Sequence, residues 1–286
     1  MKFAQLRQEY HRKICKDLLR IRKDSKKGDY PNNADGDSKI SVRIAWEIAK
    51  QLCSKPVYGT ISGQQAGTIF QQITKDFLEK TFELLKHIRP GKWIYSINTA
   101  ISSFDQYKDL AKIERIVKGN PDLATTLGSD YIVSPDIVIG RKSVPDNEIN
   151  KNQRLVGKAK SVASLTPLRQ ANLTLPAAIL HASISCKWTL RSDRAQNSRT
   201  EALNLIRNRK GNLPHIVAVT AEPTTTRIAS LALGTGDIDC VYHFALDELR
   251  NAISNIGDES QMEMLNMLVE GRRLRDISDL PFDLAV

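Results

Sequence analysis

The chain is short of several things, and each shortage removes a class of protein. No apolar run approaches the roughly 18 residues that a membrane span needs, so a bilayer protein is excluded. The first residues, Met1 to Arg7, hold no apolar core and do not read as a secretion signal. Only four cysteines occur, Cys15, Cys53, Cys186 and Cys240, scattered and with no Cys-x-x-Cys pair. That scatter argues against structural zinc and a disulfide scaffold, and fits a reducing cytoplasm. No Walker A sequence is present, so no nucleotide cofactor is expected. Gly234-Thr235-Gly236 lacks the third glycine of a dinucleotide fold and reads as a turn. Internal repeats and low-complexity tracts are also missing.

What is present is basic charge. Across 286 residues, 42 lysines and arginines stand against 32 acids, a net charge of +10. Such a field favours polyanionic partners, DNA or RNA above all. The charge is concentrated. Residues 1–28 carry ten basic and three acidic side chains, and residues 187–210 carry seven and two. Two dense segments look more like a binding footprint than an evenly solvated surface.

The apolar pattern outlines an α/β chain. Leu6, Tyr10, Ile14, Leu18 and Ile21 recur at helical spacing over 3–23. A Gly/Asn/Asp-rich loop covers 26–38, then helices are predicted over 40–53 and 67–87, the second stopped by Arg89-Pro90-Gly91. The period then changes. Tyr131–Val133 and Ile137–Ile139 read as strand around Ser134-Pro135-Asp136, and Leu180 to Leu190 alternates with Ser183, Ser185 and Lys187 on one face. A helix is predicted from Ser198 to about Asn208, strands at His215–Val219 and Asp239–Tyr242, and a last helix with a capping box at Ser260-x-x-Glu263, ending at Gly271. Strands alternating with helices predict a mixed central β-sheet flanked by helices. No linker interrupts the chain, so a single domain over 1–286 is expected.

Three polar residues fall on or beside those strands: Asp136, Lys187 and Glu201. Two carboxylates and a lysine are the minimum for metal-assisted phosphodiester hydrolysis. Mg²⁺ takes oxygen ligands and keeps several waters, and an ammonium beside the phosphate offsets charge as it builds. Bland readings stand beside this one. Pro-Asp is a common turn dipeptide, Ser198-x-x-Glu201 fits a capping box, and Lys187 suits an exposed strand end. Arg191-Ser192-Asp193-Arg194 follows closely. Arginine reads guanine through O6 and N7 and aspartate accepts from the cytosine amino group, so this run can read G·C pairs; it also fits a solvated loop. His181 and His215 sit in apolar strands and read as core residues.

At Ser185–Glu201, SCKWTLRSDRAQNSRTE, the sequence closely resembles the CCGG-family type II restriction endonucleases of the PD-(D/E)xK superfamily. The likeness is densest over His181–Ala245, in HASISCKWT, RSDRAQN, RNRKG, LPHIV, VTAEP, ALGTG and IDCVYHFAL, and returns in DISDLP and DLAV. NADG (Asn33–Gly36), HIRPG (His87–Gly91) and LGSDY (Leu127–Tyr131) match as well. The resemblance implies a restriction-endonuclease-like fold and Mg²⁺-dependent cleavage of double-stranded DNA. Asp136 matches the first metal ligand and Lys187 the catalytic lysine. Ser185 stands where the superfamily usually has an acid, and Glu201 supplies that carboxylate from the following helix. Cys186 matches a position whose backbone carbonyl faces the metal.

By the same resemblance, Arg191, Asp193 and Arg194 would read the inner CCGG. Asp35 and Arg227 would read the flanking pair, implying GCCGGC cut after the first G, and Gln64 would approach the minor groove. A homotetramer engaging two sites and a cognate DNA methyltransferase in the host are implied too. One departure stands out: the family's second-metal glutamate, just after a phenylalanine, is Gln71 here, behind Phe70. A neutral amide brings no charge to a second Mg²⁺. A different reading follows from that loss, a sequence-specific DNA-binding protein of the same fold with weakened or absent catalysis. A third is a structure-specific repair nuclease.

Overall fold

A computed structural model describes the chain except residues 121, 123, 124, 126–132, 159, 160, 174–176, 191 and 235, and the side chains of 114, 118 and 192–195. The elements run α1 (Lys2–Lys13), a π-helical turn (Ile14–Leu18), β1 (Ile21–Arg22), β2 (Tyr30–Pro31), α2 (Lys39–Leu52), α3 (Gly63–Glu83), β3 (Trp93–Ile97) and α4 (Leu110–Lys118). They continue through β4 (Ile137–Arg141), β5 (Ile179–Lys187), α5 (Ser192–Asn208), β6 (His215–Thr220), α6 (Thr225–Ala232), β7 (Cys240–His243), α7 (Leu246–Ile256), α8 (Glu259–Glu270) and β8 (Leu274–Asp276).

The main sheet is six-stranded and mixed, in the order β3-β4-β5-β6-β7-β8. β3 pairs antiparallel with β4, whereas β6, β7 and β8 pair in parallel. Ile216 to Thr220 of β6 are all buried, as expected for a parallel strand covered on both faces. The expected α/β architecture is therefore present.

Packing separates two compact units. The first comprises Met1–Arg89, Ile184–Ala202 and Ile216–Val286. In it, Ser62 and Gln65 form a reciprocal capping box that starts α3. Phe70, Phe77 and Leu78 then bury one helical face, and Tyr10 of α1 lies against Phe77 with ring centroids 5.0 Å apart. The second unit comprises Pro90–Ser183 and Leu203–His215. There the Gln106 side chain donates to Leu180 C=O at 2.7 Å and accepts from Leu180 N–H at 2.8 Å. His181 and His215 are half-buried with rings 5.1 Å apart, and Trp93 packs on His181.

Several expectations are corrected. Cys15 and Cys53 form a disulfide, Cα–Cα 5.6 Å and 38 residues apart, joining the π-helical turn to the C-cap of α2. No local spacing announces it, because folding brings the pair together. Cys186 and Cys240 are buried and unbridged. α1 stops at Lys13 instead of continuing to 23: the chain widens into the π-helical turn and then enters β1. α5 begins at Ser192, so Ser198 lies inside the helix and caps nothing. α8 is capped by Asp258, whose side chain accepts from Gln261 N–H, not by Ser260. β3 and β8, the sheet edges, have no counterpart in the sequence reading. Of the strand read at Tyr131–Val133, residues 131 and 132 lie outside the described residues.

Candidate active site and DNA-reading cleft

β5 ends at Lys187, and its alternation sorts the residues beside it. Ser185 and Lys187 are half-buried, while Cys186 between them is buried on the other face. The Cys186 sulfur therefore points away from the lysine, which leaves the backbone carbonyl as its possible ligand atom. Ser185 Oγ lies 3.0 Å from Ser198 Oγ, tying β5 to α5. Glu201 follows Ser198 by three residues, so the two lie on one helical face. With the capping box gone, the Glu201 carboxylate has no helix start to serve.

The next residue, Trp188, fixes the strand end from the core side. Its indole packs edge-on to Phe70 of α3 at 5.3 Å and to Phe244 at 5.8 Å. Gln71 follows Phe70 and is half-buried. The nearest acids on α3 are engaged elsewhere. Asp76 pairs with Lys13 and Lys75, and Glu79 pairs with Lys75.

Asp136 belongs to the other unit, directly before β4, and its carbonyl accepts from Asn98 N–H at 3.3 Å. Among the described residues no group of three His, Cys, Asp or Glu side chains gathers to hold a metal. The donors proposed by the sequence are two carboxylates and a carbonyl. That all-oxygen set lacks thiolate and imidazole and fits a hard cation that keeps its own waters.

Within the first unit a cleft of about 400 Å³ opens beside the end of β5, lined by Arg22, Lys27, Tyr30, Asp35, Trp188 and Arg227 among others. Asp35 and Arg227, 192 residues apart in sequence, form a direct ion pair there. The Asp35 loop is held by its own N–H, which donates to Ser41 Oγ at 2.9 Å. Gln64 is exposed at the second residue of α3. Arg191 lies outside the described residues, as do the side chains of Asp193 and Arg194; the backbone of the latter two opens α5.

The sequence reading passed over the polar residues at the end of β6 and just beyond it. Thr220 Oγ1 donates to Lys187 C=O at 2.9 Å, and the buried Glu222 carboxylate accepts from Leu190 N–H at 3.0 Å. An acid three residues after the apolar run His215–Val219 was the available signal.

A family model described as NgoMIV restriction enzyme matches residues 10–286. The type II restriction enzyme NgoMIV of Neisseria gonorrhoeae is 47% identical over 289 residues, covering 99% of each chain. A solved complex of the restriction endonuclease PspGI with substrate DNA aligns at 18% identity and a TM-score of 0.35, over 78% of this chain and 61% of that one. The family and sequence matches define the class: a type II site-specific deoxyribonuclease. Within that class the chain belongs to the NgoMIV restriction enzyme family.

Proposed function

We propose that this enzyme makes Mg²⁺-dependent double-strand cuts at a CCGG-containing palindrome, GCCGGC, after the first G. Residues 1–286 act as one nuclease domain. The observation that carries the reading is the arrangement in the first unit. Lys187 closes a strand tied through Ser185 and Ser198 to the Glu201 helix, beside a cleft in which Asp35 and Arg227 pair.

The Asp136 and Glu201 carboxylates and the Cys186 carbonyl would hold the cation. When bound, Mg²⁺ polarises the scissile phosphate and lowers the pKa of the attacking water. The Lys187 ammonium offsets charge on the phosphate and orients that water. Water adds to phosphorus as the 3′ oxygen departs, and the phosphate stays on the 5′ end. Ser185 keeps β5 and α5 together and contributes no charge. Gln71 can orient a water but brings no charge, so the carboxylates would hold one Mg²⁺ and a second would meet only an amide at this position.

Arg191, Asp193 and Arg194 read the inner CCGG, Arg227 and Asp35 read the outer G·C as guanine and cytosine contacts of one pair, and Gln64 enters the minor groove. The assembly is a homotetramer engaging two sites. It works in the cytoplasm beside a cognate DNA methyltransferase.

Digestion of a plasmid of known map with Mg²⁺ tests activity, sequence and cut position together. The expected outcome is discrete fragments with four-base 5′ overhangs at GCCGGC alone. Cutting at unrelated sequences overturns the recognition assignment. An intact plasmid that still binds GCCGGC specifically favours the second reading, a DNA-binding protein disabled at Gln71.

A further inference from the structure

One buried acid has no part in this chemistry. Glu222 is 1% exposed and lies just past β6. Its Oε2 accepts from Leu190 N–H at 3.0 Å, while Oε1 accepts from Thr224 O–H at 2.6 Å and Thr224 N–H at 3.2 Å. Burial pushes the carboxyl up, opposed by these donors and by the charge of Arg227. A carboxylate kept inside under that penalty holds its donors in fixed positions.

The donors matter because of what they adjoin. Leu190 directly precedes the Arg191–Arg194 readers. Thr224 is the N-cap of α6, the helix bearing Arg227, and its hydroxyl goes to Glu222 instead of capping the helix. The flanking residues reach further parts of the site. Thr220 Oγ1 and Ala221 N–H both donate to Lys187 C=O, at 2.9 and 3.2 Å. Asn33 Nδ2 donates to Ala221 C=O at 3.0 Å, two residues from Asp35. Thr220–Thr224 therefore meets the chain at the catalytic lysine, before the inner readers, at the Asp35 loop and at the start of the Arg227 helix.

We propose that Glu222 is a positioning residue for sequence discrimination, fixing Leu190, directly before the inner readers, and Thr224, at the start of the Arg227 helix, in register with each other and with Lys187. The proposal rests on the CCGG reading above. A bidentate contact discriminates only while its donors stay within about 0.5 Å of their productive positions at the base edge. One carboxylate anchors both arms, so displacing it disturbs both, whereas removing a single donor disturbs only that donor's arm. Glutamine cannot replace it. Its one carbonyl can accept from Leu190 N–H or from Thr224 N–H but not both, and its amide then meets the other N–H donor against donor, which displaces the side chain from both arms.

The test compares kcat/KM on three duplexes: GCCGGC, one altered at an inner pair and one altered at the outer pair. Glu222→Gln should lose about tenfold or more of its discrimination at both positions together. Thr224→Ala removes the hydroxyl bond of the α6 arm, leaves the Leu190 arm intact and should lose discrimination at the outer pair alone. A Glu222→Gln enzyme that cuts all three duplexes slower by one common factor, with ratios kept, overturns the proposal. If that variant does not fold, Thr224→Ala decides alone: a loss confined to the outer pair supports the proposal, and unchanged ratios or equal loss at both pairs overturn it. Wild-type protein without preference for GCCGGC would instead defeat the recognition reading, a separate result.

Discussion

Replacing Arg7 by methionine should be among the most costly single changes outside the active site. The Arg7 guanidinium lies between two carboxylates, with Nε and Nη2 donating to Asp276 at 2.9 and 2.8 Å and Nη1 and Nη2 to Glu248 at 2.9 and 2.7 Å. All three side chains are under 20% exposed. Burial alone would raise the Asp276 carboxyl, but the Arg7 hydrogen bonds and charge, with Ser278, bring it from 3.8 down to about 2. That lowering corresponds to roughly 2 kcal/mol. It is present at neutral pH and lost as pH falls from 3.8 through about 2. Removing the cation leaves two buried carboxylates facing each other, so the whole cost should reach roughly 3–5 kcal/mol at pH 7. Methionine fills much of the volume and isolates the charge effect.

Urea unfolding at pH 7 and pH 4.5 measures the difference, with an accompanying drop in Tm of roughly 6–20 °C at pH 7. The sign with pH is diagnostic. Wild-type Asp276 stays ionised at pH 4.5, whereas in Arg7→Met burial and mutual repulsion raise a carboxyl and let it protonate. The mutant's deficit should therefore narrow in acid. A variant within about 1 kcal/mol of wild type at pH 7, or a deficit equal at both pH values, refutes the reasoning.

Three other outcomes are expected. Asp136→Ala should abolish cleavage while specific binding in Ca²⁺ survives; full activity would remove Asp136 from the site. Gln71→Glu should lower the Mg²⁺ concentration needed for half-maximal cleavage, and an unchanged Mg²⁺ profile would show that the second-metal position does not depend on this residue. Breaking the Cys15–Cys53 link, which closes a 38-residue loop, should cost about 3–4 kcal/mol in unfolding experiments without reductant. Alkylation of the denatured, unreduced protein should then label two thiols, and labelling of four would show that the bridge does not form.

What was legible in the sequence follows from where physics leaves a local trace. β4, β6 and β7 carry short apolar runs because both faces are buried, and each was found within about a residue or two of its ends. The edges were not. β3, Trp93–Ile97, does carry a short apolar run, but its residues are all half-buried with no alternation between faces, and β8, with three residues, is too short to show a period. Helix starts failed for a related reason. Ser198 has the identity of an N-cap, but its hydroxyl bonds Ser185 across the fold, and a serine in mid-helix looks the same in sequence as one at its beginning. Cys15 and Cys53 failed similarly, since a bridge across 38 residues is a tertiary fact.

The candidate site divides along the same line. Polar residues beside apolar strands are conspicuous in the sequence, so Lys187, at the end of β5, and Glu201, in the helix that follows, stood out. Arg227 and Asp35 needed the family resemblance, because nothing local relates positions 192 residues apart that form one ion pair. Glu222 illustrates a third kind of residue. Its partners are backbone N–H and hydroxyl groups that any sequence offers, so its identity carries no trace of what it holds. Buried carboxylates nevertheless cost several kcal/mol unless their oxygens are satisfied, which makes an acid just after an apolar strand a reason to look for two elements that need fixing together.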